Sequence, residues 1–531
     1  MRDKRKLKLK KFYFHPITMF IVLTVATVLL SGILSLFQMQ ATYNTVNANT
    51  NDLEPTLVAV ESLLNFDGMK YIISNATKNF ISFAPLVMLL ISLIGISISE
   101  STGFIAAFAK RFVSKLNKFQ LTFIVIFLGT ISTLINEIGY AILIPLAAMI
   151  YLINNRNPLL GIITAFCGVS FGYGVSVFVG SLETWLIPYT TSASHLIDTN
   201  AHIALTSNLI IIIASTIILS IVGTLIIEKF IAPKMGRYRE KEGIAKTEEL
   251  SLIDVEEVEQ QKIAEEKSEK RGLRFAIIVG ILVILLFIYM IIPDLPYSGL
   301  LLDMTEKTYL KQLFGENSYF QDGFTYMICL FFLFMGIAYA FGSKSIKNDK
   351  EIIEKATTSF NKVGSIIILI FVVSQFIAVF RKTNIGTVIT AWLANSLNYL
   401  EFSGLPLILL VLLLIAISNL FLTAPLAKWM IFSPVVVPVL MQSNISPQFA
   451  QFILRAGDSM TNGITPLLAS FALYIGYLNI YNLDKSKPIG IKKAIRYVMP
   501  YFLIISATWI LIVICWYLVG LPIGPGVYPT I

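Results

Sequence analysis

The sequence has little charge. Asp, Glu, Lys and Arg make up 14% of its 531 residues, where a soluble globular chain carries about 25%. With 56% of the residues hydrophobic, that shortfall excludes an ordinary soluble domain. Cysteine and histidine number three each. Cys167, Cys329 and Cys515 all lie in apolar stretches and read as small core residues, not as a disulfide framework. His15, His195 and His202 are too few for a multi-histidine metal centre. No Gly-rich loop ends in the Gly-Lys-Ser/Thr that holds a nucleotide phosphate, so nothing supports an ATP-driven pump. Neither a Ser-His-Asp set nor a His-Glu-x-x-His helix is there to support a membrane enzyme.

Apolar residues instead come in runs of about 20, the length that crosses a ~30 Å hydrocarbon core. Ile17 to Phe37, Ala276 to Ile292 and Ile504 to Val519 are the cleanest. The chain reads as an all-α polytopic membrane protein. Its net charge of +9 would raise the question of nucleic acid in a soluble protein. Here the bases collect beside apolar runs, the positive-inside pattern, so the expected partner is the lipid bilayer and no nucleic acid. Seven basic residues precede His15, and the apolar stretch that follows is longer than the core of a cleaved signal. It is expected to remain as the first span of an inner-membrane protein, with its start in the cytoplasm.

Charge asymmetry sets the topology. The N-terminus, Lys110 to Lys118, Lys229 to Arg274, Lys344 to Lys362 and Lys485 to Arg496 are basic and assigned to the cytoplasm; Asn51 to Asp67 and Pro293 to Asp322 are assigned outside. Between Lys118 and Lys234, both inside, lie three apolar blocks: Leu121 to Ile153, Leu159 to Pro188 and Ile203 to Phe230. Three simple crossings cannot join two points on one side, so one block enters and leaves on one face. Leu121 to Ile153 is too long for one span, and its middle holds Thr130, Ser132, Thr133, Asn136, Glu137 and Gly139. Polar, broken backbone survives at membrane depth only inside protein or against a water-filled cavity, so this block is expected to be a re-entrant hairpin. Leu405 to Met441 repeats the case between Lys362 and Lys485, broken by Ser418, Asn419, Thr423, Pro425, Lys428 and Trp429.

About nine transmembrane helices and two opposed hairpins follow, with the C-terminus outside. Each hairpin precedes a span interrupted around one acid, the layout of an inverted-repeat core on an outer scaffold, which points to a secondary transporter. The expected segments are 1–16, a basic cytoplasmic start; 17–118, scaffold spans with an external loop; 119–232, the first hairpin and broken helix; 233–272, a charged cytoplasmic linker; 273–362, scaffold spans; 363–483, the second hairpin and broken helix; and 484–531, the last span and external tail. The Glu- and Lys-rich stretch Lys241 to Lys270 reads as a solvated linker more readily than as a regulatory site.

Ionisable residues within membrane segments are functional candidates, because burying one there costs roughly 2.5–3.5 kcal/mol. Glu183 ends a glycine-rich stretch, Gly168 to Thr184, whose free carbonyls and carboxylate suit a proton or Na+; the bland alternative is a wet acid at the outer interface. Asp458 lies in Arg455-Ala-Gly-Asp458-Ser-Met-Thr-Asn462-Gly-Ile-Thr465-Pro466, and it too could bind a coupling proton or Na+. Arg455, three residues away on the same helical face, could simply neutralise it. Lys428 and Trp429, at the second hairpin's tip near Asn419, suit an anionic aromatic solute; the alternative is an interfacial anchor with a snorkelling Lys. Asn136 and Glu137 top the first hairpin, with a locally satisfied carboxylate as the alternative. Arg381 and Lys382 read as interfacial more readily than as functional.

These motifs resemble the AbgT family, the p-aminobenzoyl-glutamate transporters. The likeness runs through nearly the whole membrane region. It is carried by Asn136-Glu-Ile-Gly-Tyr140 with Ile144-Pro-Leu-Ala-Ala148, by Ala427-Lys-Trp429 with Pro434, by Arg455 to Pro466, and by Gly520-Leu-Pro-Ile-Gly-Pro-Gly526. The resemblance implies a homodimer, each protomer with two opposed hairpins in an inner core, that takes up p-aminobenzoyl-glutamate or exports sulfonamide-type drugs. It implies functional roles for Glu183, Asn419, Trp429, Pro447, Arg455, Asp458 and Pro466. The chain departs from the family at Glu183, where an Asp is usual, at Asn136-Glu137, at Arg381-Lys382 and at Leu426. The expected activity is cation-coupled transport of an aromatic-glutamate-type anion, with Asn419, Lys428, Trp429, Arg455, Pro447, Asn462 and Pro466 at the solute and Glu183, Asp458, Glu137 and Asn136 at the coupling ion. A drug exporter on the same scaffold and an ion or solute channel are the rival readings.

Overall fold

The computed structural model describes residues 14–46, 52–134, 137–236, 238, 255–315, 317–346 and 348–531. The fold is helical. Among the described residues, eight helices are long and apolar enough to cross a membrane: Pro16–Leu36, Ala84–Ser101, Leu209–Met235, Glu265–Ile291, Tyr319–Ser343, Gly364–Lys382, Pro425–Gln442 and Ile491–Val519. The protein is thus an all-α polytopic membrane protein, as its apolar runs imply. Two details differ from the expected layout. Within the scaffold segment 17–118, Ala84–Ser101 and Phe104–Arg111 are separate helices, because Gly103 between them takes φ +88°, a left-handed conformation that only glycine adopts readily. The loop after the first span contains an antiparallel ribbon, Gln40–Val46 with Leu53–Ala59, in which Gln40 faces Ala59 and Val46 faces Leu53. Trp392 and Asn395 donate to its carbonyls at Gln40 and Thr42 (3.0 and 2.7 Å).

One group of helices packs through small residues. A Cβ at Gly95 would lie 2.2 Å from the Cys329 carbonyl oxygen, and one at Gly336 would lie 2.9 Å from Ser99 Cα. Ala84–Ser101 and Tyr319–Ser343 therefore touch backbone to backbone, the way helices associate where lipid removes the hydrophobic drive. Glu265–Ile291 packs beside them with most of its apolar residues exposed.

The rest of the chain forms the core. Lys118–Ile131, which ends in a turn at Ser132–Leu134, pairs with Ile138–Ile153. At 14 residues the first arm is about 21 Å long, short of a ~30 Å core. Gly404–Asn419 and Pro425–Gln442 make a second pair. Each pair leads into a broken helix. The first is Pro158–Phe171, an irregular stretch, then Ser181–Ser194; the second is Pro447–Thr461, the turn Asn462–Ile464, then Phe471–Ile480. Asn157 and Ser446 cap the two first halves, with Pro at the first helical position of each.

The pairs open toward opposite ends of the bundle. Leu209–Met235 has 27 residues, about 40 Å of helix. At its start, the Ile210 and Ile211 amides donate to the Ile523 carbonyl (3.0 and 3.1 Å). At its far end, Asn157 donates to the Met235 carbonyl (3.1 Å) and Arg156 to Glu228 (2.5 Å), beside the base of the first pair. The base of the second pair is tied instead to the chain end, where the Ser446 amide donates to the Pro529 carbonyl (2.8 Å).

Candidate functional site

The four core elements meet at a cluster of polar side chains in an apolar interior, where a charge is tolerated only with a partner. Asn419 ends the first arm of the second pair, and Lys428 lies in the first turn of the second arm. Lys428 Nζ donates to Asn419 Oδ1 (2.6 Å) and to Asp458 Oδ1. The Asn419 amide donates to the Asp458 carbonyl (3.0 Å), Thr461 Oγ1 (3.0 Å) and Asn462 Oδ1 (2.8 Å). The Asp458 carbonyl also accepts the Asn462 amide at the C-cap of its helix. Lys428 and Asn419 are fully buried, so Lys428 does not snorkel.

Arg455, on the same helix as Asp458, reaches the other repeat. Its Nη1 donates to Glu183 Oε1 (2.6 Å) and more weakly to the Gly174 carbonyl (3.4 Å). Glu183 sits in the first turn of Ser181–Ser194, and its Oε2 accepts the Gly180 amide (2.9 Å). The acid thus also faces the positive end of the helix dipole. Glu183 is buried, not wet. Arg455 and Asp458 share a face without pairing with one another; each finds its counter-charge on another element.

The remaining contacts also run between repeats. Trp429 Nε1 donates to Thr190 Oγ1 (2.9 Å), and the ring is fully buried, which removes its reading as an interfacial anchor. Glu137 Oε2 accepts from Ser470 Oγ (2.7 Å). The Gly174 amide donates to Ser459 Oγ (2.8 Å), with no room for a Cβ: one built on Gly174 would lie 2.7 Å from the Arg455 carbonyl oxygen.

The structure thus brings together Glu183, Asn419, Lys428, Arg455, Asp458 and Asn462, with Glu137 and Trp429 on neighbouring contacts. Asn136 lies outside the described residues. Pro447 opens the helix 11 residues before Asp458, about 16 Å along its axis. Pro466 lines a separate apolar groove with Met19, Ile491 and Met499. Lys382 is a partly exposed partner of Glu61 (2.6 Å). The motif reading passed over the hydroxyls of Thr190 and Ser470 and the part-buried pair of Arg156 with Glu228, an acid inside the Leu209–Met235 run.

An all-helical membrane bundle with a buried polar centre between two like halves is the build of a transporter. Residues 10–531 match the model of the "AbgT putative transporter family", and the chain belongs to that family. It is 29% identical to the p-aminobenzoyl-glutamate transport protein of Escherichia coli (strain K12), over 97% of this chain and 94% of that one. Two solved structures are similar. The Alcanivorax borkumensis YdaH transporter is 27% identical, covers 96% of this chain and 100% of its own, and has a TM-score of 0.47. Neisseria gonorrhoeae MtrF, of a class of antimetabolite efflux pumps, is 30% identical, covers 97% and 98%, and has a TM-score of 0.48. The protein is therefore a multi-pass membrane transporter and not an enzyme.

Proposed function

We propose that this transporter is a secondary active carrier of aromatic-glutamate-type organic anions, such as p-aminobenzoyl-glutamate, across the inner membrane. The observation that carries the reading is the buried double ion pair, Lys428–Asp458 and Arg455–Glu183. The two cations can hold solute carboxylates, the two acids can take up the coupling charge, and Trp429 supplies a ring beside Lys428 for an aromatic group. The kinship with the p-aminobenzoyl-glutamate transport protein of Escherichia coli supports that solute. A proton suits the acids better than Na+. Both oxygens of Glu183 already accept N–H donors, and Asp458 accepts from Lys428, whereas Na+ would need several free oxygens.

In this reading the two helix pairs are re-entrant hairpins entering from opposite faces, nine segments cross, the N-terminus is cytoplasmic and the C-terminus external. The protein works as a homodimer whose protomers each hold a full site, since both ion pairs close within one chain. A mixed dimer with one transport-dead subunit should keep about half the transport; complete loss would mean a shared site. Proteoliposomes containing the purified protein should accumulate labelled p-aminobenzoyl-glutamate under an imposed proton gradient and not under a Na+ gradient alone. Accumulation with neither gradient, in either orientation, would overturn the reading; dissipation without accumulation would favour a channel. Extrusion in place of uptake would favour the exporter.

A further inference from the structure

Arg455 is buried with only half of its guanidinium in use. Nη1 is engaged by Glu183 and Gly174, but Nε and Nη2 meet no protein acceptor. The Ser176 hydroxyl, also buried, has no protein partner either. Both residues line one small cavity, together with Thr133, Tyr173 and Glu183. The Nε and Nη2 hydrogens form the edge of the guanidinium that matches two carboxylate oxygens side by side. A buried polar group without a partner is destabilising, and here three donor atoms are left so on two residues that line one hollow.

We propose that the Nε–Nη2 edge of Arg455 and the Ser176 hydroxyl form the seat for one carboxylate of the solute, and that Glu183 carries a proton while the seat is filled. This rests on the transport function proposed above and adds the atoms and the coupling step. Arg455 is already neutralised by Glu183. A second carboxylate on the same guanidinium would leave one negative charge in a dry interior, which is strongly unfavourable. One proton taken from solution by a Glu183 oxygen restores neutrality. Arg455 Nη1 then donates to the carbonyl oxygen of a neutral acid, and its other edge holds the anion. No bond other than the O–H is made, and one proton is bound per solute.

The charged partner facing Glu183 is Arg455. Tyr173 lines the same cavity, and Glu137, Asp458 and Arg455 all lie close enough to the Tyr173 phenol to act on it electrostatically. Of the other elements packed against Ser181–Ser194, Pro425–Gln442 bears Lys428, which is committed to Asp458. Tyr309–Phe314 bears Tyr309 and Lys311, and Gln40–Val46 bears Tyr43.

The test is ligand binding to the full-length protein in weakly buffered detergent. The probes are p-aminobenzoyl-glutamate, p-aminobenzoate and benzoate, with affinity and proton uptake read together. Wild type should bind with uptake of about one proton per solute. Ser176→Ala, which leaves the fold intact, should weaken binding by about tenfold. Arg455→Lys, which keeps the charge and loses the fork, should weaken it further. Glu183→Gln should bind without taking up a proton. If wild type binds p-aminobenzoyl-glutamate but Ser176→Ala and Arg455→Lys stay within twofold, or no proton is taken up, the seat is overturned while the transport reading stands. If p-aminobenzoyl-glutamate does not bind but the simpler carboxylates do, with losses in both variants, the seat stands and the solute assignment fails. If no carboxylate binds folded wild type, both fail.

Discussion

Lys428 and Asp458 are a buried cation and anion contributed by different elements. Such a pair adds little net stability over an apolar replacement, yet removing one member leaves a bare charge in the interior, which costs roughly 3–5 kcal/mol. Lys428→Met and Asp458→Leu should each lower the melting temperature in detergent sharply, and the double variant should regain most of the loss. All three should fail to concentrate solute. A double variant that is stable and still concentrates solute would reduce the pair to a structural detail. The site could be read in the sequence as far as residue type goes, since an acid, a base or an amide in an apolar run stands out. Its wiring could not. Arg455 and Asp458 are three residues apart and share a helical face, but Arg455 pairs across 272 residues of chain with Glu183, and only the packing of the repeats selects that partner. Thr190 went unnoticed because a helical hydroxyl usually bonds its own helix, as Thr190 also does to the Leu186 carbonyl (2.9 Å), and Ser176 lay inside the Gly168 to Thr184 stretch with nothing to single out its hydroxyl.

The helix pairs were legible because apolar blocks too long for one span carried polar centres, and the turn at Ser132–Leu134 and the break at 420–424 fall there. The ribbon at Gln40–Val46 and the kink at Gly103 were not, since each depends on a partner or a backbone angle that hydropathy does not encode. Glycine illustrates the same limit, because its role depends on what lies opposite. Gly174 touches Arg455 and Ser459, whereas a Cβ at Gly323 would meet nothing within 4 Å. Gly174→Ala should therefore push the first broken helix away from the second and destabilise the protein by about 1–3 kcal/mol, with transport lost. Gly323→Ala, inside Tyr319–Ser343, should stabilise by up to about 1 kcal/mol. Equal melting temperatures for the two variants would mean that the close approach at Gly174 is not maintained.

For the whole molecule, the termini and the bases of the two helix pairs define its sidedness. A single cysteine introduced at Tyr528 in a cysteine-free background should react with an impermeant reagent added outside intact cells, and one at Lys344 should not. The reverse result would invert the topology argued from the basic loops. The bonds between repeats bear also on what each half can do alone. Cut between residues 238 and 255, the first fragment would keep Glu183 without its cation, and the second would keep Arg455, Lys428 and Asp458 with one positive charge in excess. Neither fragment can neutralise its own interior, but the two together can. Produced separately, each should be cleared by proteolysis, the fate of chains that stay partly unfolded. Produced together, they should protect one another and restore transport, so the two repeats behave as mutually dependent halves that neither selection nor protein engineering can alter independently.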